Sequence, residues 1–116
     1  MKKLSWLAVG IVFLGGALAQ IAGGYGAADV KDPQVMAAAK FAVAAQNTKL
    51  KRTGSRAYTL LEITKAEMQV VAGLNFHVCI KTKLGASVRA SEAVVYQDLQ
   101  QKLNLSSWTW KKCGIK

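Results

Sequence analysis

The chain changes its hydrophobic periodicity once, from a helical repeat to a strict alternation. After Asp32, apolar residues recur every three or four positions as far as Asn47, which is the spacing of a helix with one buried face. Asp32 is a typical N-cap residue, and Pro33 suits the first helical position. We therefore predict an alanine-rich helix that begins at Pro33 and ends at Asn47. Its buried face should carry Val35, Ala39, Ala42 and Val43.

Beyond a basic connection at 48–56, the period of the apolar residues shortens to two, as in strands with one buried face. The clearest case is the alternation of Leu74, Phe76, Val78 and Ile80. Strands are predicted at 58–64, continuing at 68–71 after a kink near 65–67, and then at 74–82, 93–97 and 103–110. One helix followed by four strands predicts an α+β domain, in which the helix covers one face of an antiparallel sheet.

The first residues read as a secretory signal peptide. A basic start at Lys2 and Lys3 precedes an apolar run over 4–14, and small residues at Ala17 and Ala19 form a cleavage site. We predict a signal peptide over residues 1–19 and a mature domain over residues 20–116, secreted to the exterior, or to the periplasm of a bacterium. An uncleaved membrane anchor is the alternative, but the run is shorter than the ~20 apolar residues of a membrane span. No membrane contact is expected after cleavage.

The net charge of +10 on 116 residues raises the question of anionic partners. Removal of Lys2 and Lys3 with the leader reduces the charge to +8. The remaining basic residues are scattered over predicted loops and strand ends, and no aromatic-basic recognition module is present, so no nucleic acid partner is expected. A cationic module that binds anionic membranes or polymers stays as the alternative function.

Few residues could carry chemistry. A single histidine, His77, and two cysteines exclude a typical four-ligand zinc site, and no nucleophile or paired-carboxylate motif accompanies the histidine. We expect neither an enzyme nor a cofactor. In an oxidising compartment, Cys79 and Cys113 have only each other as partners, and their disulfide would contribute roughly 3–4 kcal/mol. Two unpaired thiols are the alternative.

The segment at 69–73 is apolar at a place where two strands should turn. Turns usually carry Asn, Asp, Gly or Ser, but here two stiff valines, Val70 and Val71, precede the only turn-forming residue, Gly73. Either the turn exposes an apolar tip, or it lies elsewhere and the valines belong to the core. An exposed tip on a rigid hairpin suits insertion into a partner's cleft, because little loop entropy is lost on binding.

These residues resemble a known family. The segment at 69–73 reads Gln-Val-Val-Ala-Gly, which looks like the signature of the cystatins, inhibitors of papain-like cysteine proteases. A pair of glycines precedes the helix, as the cystatin N-terminal glycine does, and 39–47 is similar to the helix motif of plant cystatins. The resemblance implies a cystatin-like fold, with one long helix packed on a four- to five-stranded antiparallel sheet. It also implies reversible, competitive inhibition of papain-like, cathepsin-type endopeptidases by a monomer, in a fold that also admits a domain-swapped dimer.

In this family three apolar pieces form one wedge that enters the protease cleft. Carried over residue by residue, the resemblance implies protease-binding roles for Ile21, Ala22, Gly23, Gly24, Gln69, Val70, Val71, Ala72, Gly73 and Leu99. The second hairpin departs from the family, because many cystatins carry Pro-Trp there. It is closer to the Leu-Pro of the stefins, with Leu99 kept and Gln100 in place of proline. A pairing of Cys79 with Cys113 likewise does not match the two disulfides of secreted animal cystatins.

Overall fold

The computed structural model describes residues 24–113 as one helix packed on a five-stranded antiparallel sheet. The strand order follows the chain, β1-β2-β3-β4-β5, so neighbouring strands are joined in sequence except where the helix separates the first two. The elements are β1 (Gly26–Ala28), α1 (Pro33–Leu50), β2 (Thr59–Val71), β3 (Gly73–Leu84), β4 (Ser87–Gln97) and β5 (Leu103–Trp110). This architecture confirms the predicted α+β class.

The N-terminal leader predicted from the sequence is not part of this description. The proposed signal peptide over residues 1–19 lies outside residues 24–113. So do Ile21, Ala22 and Gly23 of the segment 20–24, which we call the N-terminal arm. Within the described range, α1 falls short of the apolar character that a membrane-crossing helix requires.

The helix begins as its sequence indicates but ends later. The Asp32 carboxylate accepts a hydrogen bond of 2.7 Å from the Gln34 amide, and Pro33 occupies the first turn. The helix runs on to Leu50, where Lys51 closes it in the left-handed conformation with φ 56°. The predicted end at Asn47 is therefore wrong. Asn47 lies inside the last turns, and its side chain serves another purpose.

That purpose is to attach the helix to the strand that follows it. The Asn47 amide nitrogen donates to the carbonyl of Tyr58, and its amide oxygen accepts from the Tyr58 N–H, each at 2.9 Å. One asparagine thus satisfies both backbone groups of a residue just before β2, and these groups would otherwise lack partners in a part-buried place. The contact fixes the register between α1 and the sheet.

The core lies between α1 and one face of the sheet. The predicted helix face is confirmed, because Val35, Ala39, Ala42 and Val43 are all buried. From the sheet, Phe76, Val78 and Ile80 are buried beneath the helix, and Leu74 is partly buried at the edge of the same cluster. The small alanines let the helix backbone lie close to these larger strand side chains, so the layers interlock without long helix side chains.

Two strands differ from the prediction. The strand β1 was missed because Gly26, Ala27 and Ala28 have no β-forming side chains; pairing with Ala66–Met68 of β2 makes it a strand. The strand β4 begins at Ser87 and not at residue 93, since its polar first half pairs with the end of β3. The expected kink at 65–67 is replaced by register shifts slightly earlier in β2, between Leu60 and Glu62 and between Ile63 and Lys65.

The two cysteines are joined. A disulfide links Cys79 of β3 to Cys113 beyond the end of β5, with their Cα atoms 5.7 Å apart. Neighbours of Cys79 in sequence, Val78 and Ile80, point to the helix, so Cys79 points to the opposite face of the sheet. The bond therefore ties the C-terminal segment across the face that the helix leaves uncovered.

Candidate functional site

Strand register brings three separate segments to one end of the sheet. Gly26 pairs with Met68 in an antiparallel ladder, so Tyr25 and Gly24 run on toward the end of β2. There β2 turns into β3, and the pairing of Leu74 with Gln97 places the end of β4 beside that turn. We call this end the wedge edge; it consists of Gly24, the first hairpin Gln69–Gly73 and the loop Asp98–Lys102.

The first hairpin exposes an apolar tip. The strand β2 continues to Val71 and β3 starts at Gly73, which leaves Ala72 as the single residue between them. Val70 and Val71 are 43% and 39% exposed and belong to no part of the buried core. Of the two arrangements that the sequence left open, the structure therefore has the exposed tip.

The tip is held from the neighbouring strands. The Tyr96 hydroxyl of β4 donates a hydrogen bond to the carbonyl of Ala72 at the turn. At the base of the hairpin, the Asn75 amide donates to the Gln69 side-chain oxygen at 2.8 Å. These contacts reduce the motion of the tip before any partner binds, so less conformational entropy is lost on association.

Gly73 is required at the turn for two reasons. Its φ of +111° lies in a region that side-chain-bearing residues avoid. A Cβ atom at this position would also overlap the carbonyl oxygen of Gln97 and come within 3.0 Å of the Tyr96 hydroxyl. The last residue of the Gln-Val-Val-Ala-Gly segment is thus fixed by the close approach of β4.

The second loop of the wedge edge presents one leucine. Asp98 shapes the loop, because its carboxylate accepts from the amides of Gln100 and Lys102 at 2.9 and 2.8 Å. Gln101 adopts a left-handed conformation with φ 70° and completes the turn. Leu99 lies at the tip and is 72% exposed. The loop therefore holds a large apolar side chain in solvent without a proline.

The arm is described only from Gly24 onward. Gly24 is exposed, and the next residue, Tyr25, packs its ring edge-on against His77 with ring centroids 5.8 Å apart. Among the predicted protease-binding residues, the structure thus brings Gly24, the five hairpin residues and Leu99 to one edge. Ile21, Ala22 and Gly23 stay predictions from sequence.

Sequence reasoning missed a polar cluster behind the arm. His77 of β3 bonds through Nδ1 to Glu67 of β2 at 2.9 Å and through Nε2 to Glu92 of β4 at 2.6 Å. Lys111 also reaches Glu92, at 3.1 Å. Burial alone would raise the pKa of Glu92, but the hydrogen bonds from Lys111 and His77 outweigh it and lower that pKa. No short motif signals this cluster, since its members meet only through strand register.

The cluster is not a metal centre, and the basic residues lie elsewhere. Within residues 24–113 no three His, Cys, Asp or Glu side chains are placed to hold a metal ion. The end of the sheet opposite the wedge edge, around the helix C-terminus and the β3–β4 turn, carries many of the cations. They include Lys49, Lys51, Arg52, Arg56, Lys83 and Arg89.

Taken together, the helix-on-sheet fold and the apolar edge define a single-domain protein that presents preformed loops to a partner. Curated relatives agree with this class. L-cystatin of Tachypleus tridentatus is 37% identical over 101 residues, covering 87% of this chain and 73% of that protein. Cystatin-1 of Ornithodoros moubata is 38% identical over 97 residues, covering 80% and 72%. A putative cysteine proteinase inhibitor 7 of Oryza sativa subsp. japonica is 34% identical over 88 residues, covering 75% and 73%. The chain belongs to the cystatin family.

Two solved structures and one family model are also similar to this chain. The salivary cystatin of the soft tick Ornithodoros moubata superimposes with a TM-score of 0.64 at 22% identity, over 78% of this chain and 99% of that one. Dimeric human cystatin F also reaches 0.64, at 15% identity, over 79% and 89%. These likenesses show the fold. A family model described as aspartic acid proteinase inhibitor, SQAPI, matches residues 27–110. None of these comparisons supports the cationic binding module.

Proposed function

We propose that the protein is a reversible, competitive inhibitor of papain-like cysteine endopeptidases. The observation that carries the proposal is the exposed valine tip at Gln69–Gly73, presented beside Leu99 on one edge of a rigid sheet. The names of the cystatin relatives support the same protease class. The proposed role needs no catalytic residue, so the protein acts by occupying the cleft and not as an enzyme.

The binding energy would come mainly from apolar surface that is already in place. Val70, Val71 and Leu99 are the large apolar side chains that the wedge edge leaves in solvent within the described residues. Burying them in a cleft removes apolar area from water at about 25 cal/mol per Å². Because the hydrogen bonds of Tyr96 and Asp98 hold both loops, little of this energy is offset by ordering.

The N-terminal arm would add a third contact. We assign Ile21 and Ala22 to substrate subsites of the protease, with Gly23 and Gly24 covering the glycine position of the family. The antiparallel pairing of β1 with β2 supports this assignment, because it places Gly24 at the end of the sheet that carries the first hairpin. Removal of residues 20–24 should weaken inhibition by a few kcal/mol if Ile21 is an anchor.

We further propose that the chain acts outside the cell after loss of residues 1–19, as a monomer. The disulfide between Cys79 and Cys113 supports an oxidising destination. A domain-swapped dimer is the alternative assembly, and gel filtration of the chain that starts at Gln20 decides between the two.

Inhibition of an aspartic protease is a second candidate function. The observation in its favour is the family model described as aspartic acid proteinase inhibitor, whose match at 27–110 includes both loops of the wedge edge. The arm residues 20–24 lie outside that match. The two candidates therefore predict different effects of arm removal: a loss against a cysteine protease, and little change against an aspartic one.

The experiment is a pair of titrations with the chain that starts at Gln20, one against papain and one against pepsin. We expect inhibition of papain that appears within mixing time, reverses on dilution and weakens in proportion to added substrate. No inhibition of papain at micromolar protein would refute the proposal. Inhibition of pepsin alone would favour the second candidate. Retention on heparin that falls steeply with salt, without inhibition of either enzyme, would favour the cationic module.

A further inference from the structure

The cluster of His77 with two glutamates lies on the face of the sheet that the helix leaves uncovered, next to Tyr25 at the start of β1. His77 alternates with Phe76 and Val78, which are buried under the helix, so its side chain is on the opposite face. Glu67 is its direct cross-strand partner on β2, and Glu92 reaches it from β4. The side chains are only 23–28% exposed, so these hydrogen bonds are better shielded from solvent than ordinary surface contacts.

Two carboxylates hold the imidazole ring from both sides. Its nitrogens lie 2.9 and 2.6 Å from oxygens of Glu67 and Glu92, which fixes both the plane and the rotation of the ring. Lys111 binds the other oxygen of Glu92 and holds that carboxylate in place. The His77 ring is therefore held in one orientation and presents a fixed surface to its neighbours.

Tyr25 packs on this surface. Its ring meets the His77 ring edge-on, with centroids 5.8 Å apart and planes inclined by 61°. Burial, together with the negative charge of Glu67, raises the pKa of the Tyr25 phenol. Tyr25 stands between Gly24 and the three-residue strand β1, so it directly follows the glycine pair of the arm. Tyr25 is 41% exposed, so this ring contact is one of the few that hold the chain at the start of the three-residue strand.

We propose that His77 is a positioning residue for the N-terminal arm: held by Glu67 and Glu92, it seats Tyr25 and so fixes where the arm leaves the sheet. The inference rests on the proposed function, because the arm matters only if it contacts a protease. With Tyr25 held in place, Gly24 stays beside the first hairpin, and less entropy should be lost when the arm enters the cleft. Without the contact between Tyr25 and His77, the position of the chain would be fixed by the sheet only from Gly26 onward.

The first test is a double-mutant cycle between His77 and the arm, measured as inhibition of papain. In the chain that starts at Gln20, His77→Ala should weaken inhibition about tenfold through lost preorganisation. In a chain that starts at Gly24, the same substitution should change inhibition less than about twofold, because no arm is left to position. An equal loss in both chains, or no loss in either, would overturn the proposal.

Two variants show whether the ring contact is responsible. Tyr25→Ala should reproduce the loss caused by His77→Ala, and the two substitutions together should cost no more than one. Tyr25→Phe keeps the ring and should restore inhibition. The matched control is Lys81→Ala, on the same face of β3 but away from the arm, and it should leave inhibition unchanged. Full additivity of the two alanine variants, or failure of phenylalanine to rescue, would contradict the assigned contact.

A readout that needs no protease separates this inference from the proposed function. Hydrogen exchange of the amides of Gly26–Ala28 should become faster in His77→Ala, while the core amides of Phe76 and Val78 keep their protection. If the unmodified protein fails to inhibit papain, the proposed function falls, and this exchange measurement still decides whether His77 holds the arm. Unchanged exchange at Gly26–Ala28 would show that it does not.

Discussion

Replacing Val71 with aspartate tests the role of the first hairpin most sharply. Val71 lies at the end of β2, 39% exposed, so the substitution places a carboxylate in solvent and leaves the core intact. In the free protein we expect a loss of stability below about 1 kcal/mol, which is the usual range of strand preference at an exposed position. In a complex, the same carboxylate would lie in an apolar cleft without a partner.

The size of the effect follows from two contributions. Full burial of a valine side chain stabilises by about 1.5–3 kcal/mol. Burying the 39% of Val71 that is exposed would therefore contribute about 0.6–1.2 kcal/mol to binding, and the substitution removes this contribution. Stripping water from an unpaired carboxylate costs several kcal/mol, of which we take about 3. The sum of about 4 kcal/mol corresponds to roughly a thousandfold weaker inhibition of papain.

A matched control separates hairpin contact from a general effect of charge. Val88 is 51% exposed at the start of β4, next to the β3–β4 turn at the opposite end of the sheet. Val88→Asp introduces the same charge into the same residue type, and we expect it to inhibit papain as the unmodified protein does. Equal inhibition by Val71→Asp and Val88→Asp, with both proteins folded by circular dichroism, would refute the role of the hairpin.

Four further substitutions, one of them a control, test the supports of the wedge edge and the fold. Gly73→Ala should cost roughly 1–3 kcal/mol in unfolding titrations and also weaken inhibition, whereas Gly85→Ala, at a positive φ with open space around it, should cost stability alone. Cys113→Ser should lower the free energy of unfolding by about 4 kcal/mol, since the disulfide spans 34 residues, with little change in papain inhibition. Asn47→Ala should lower the free energy of unfolding by about 2 kcal/mol, and with it the melting temperature, because it leaves both backbone groups of Tyr58 without their partner. An unchanged melting temperature would contradict that account.

Patterns that depend on burial could be predicted well from the sequence. The alternation over 74–80 predicts which strand face meets the helix, and the alanine-rich repeat after Pro33 predicts the helix face that receives it. Elements whose stability comes from a partner could not be predicted in this way. Gly26–Ala28 has no strand preference of its own, and the helix end at Leu50 depends on a left-handed Lys51 that no motif marks.

The candidate site shows the same division. The apolar turn at Val70 and Val71 was visible because it breaks turn chemistry, although the sequence left open whether it was exposed. The cluster of Glu67, His77 and Glu92 was invisible, because its members are 10 and 15 residues apart and only cross-strand register joins them. A lone histidine carries no signal of its partners until the strands are aligned.

The most direct test of the central claim is hydrogen exchange of the protein alone and bound to papain. The account predicts slower exchange in the complex at the first hairpin, 69–73, and at the loop Asp98–Lys102, with no change at the β3–β4 turn near Gly85. Protection confined to the end that carries Gly85, or no protection at 69–73 in a complex that forms, would contradict it.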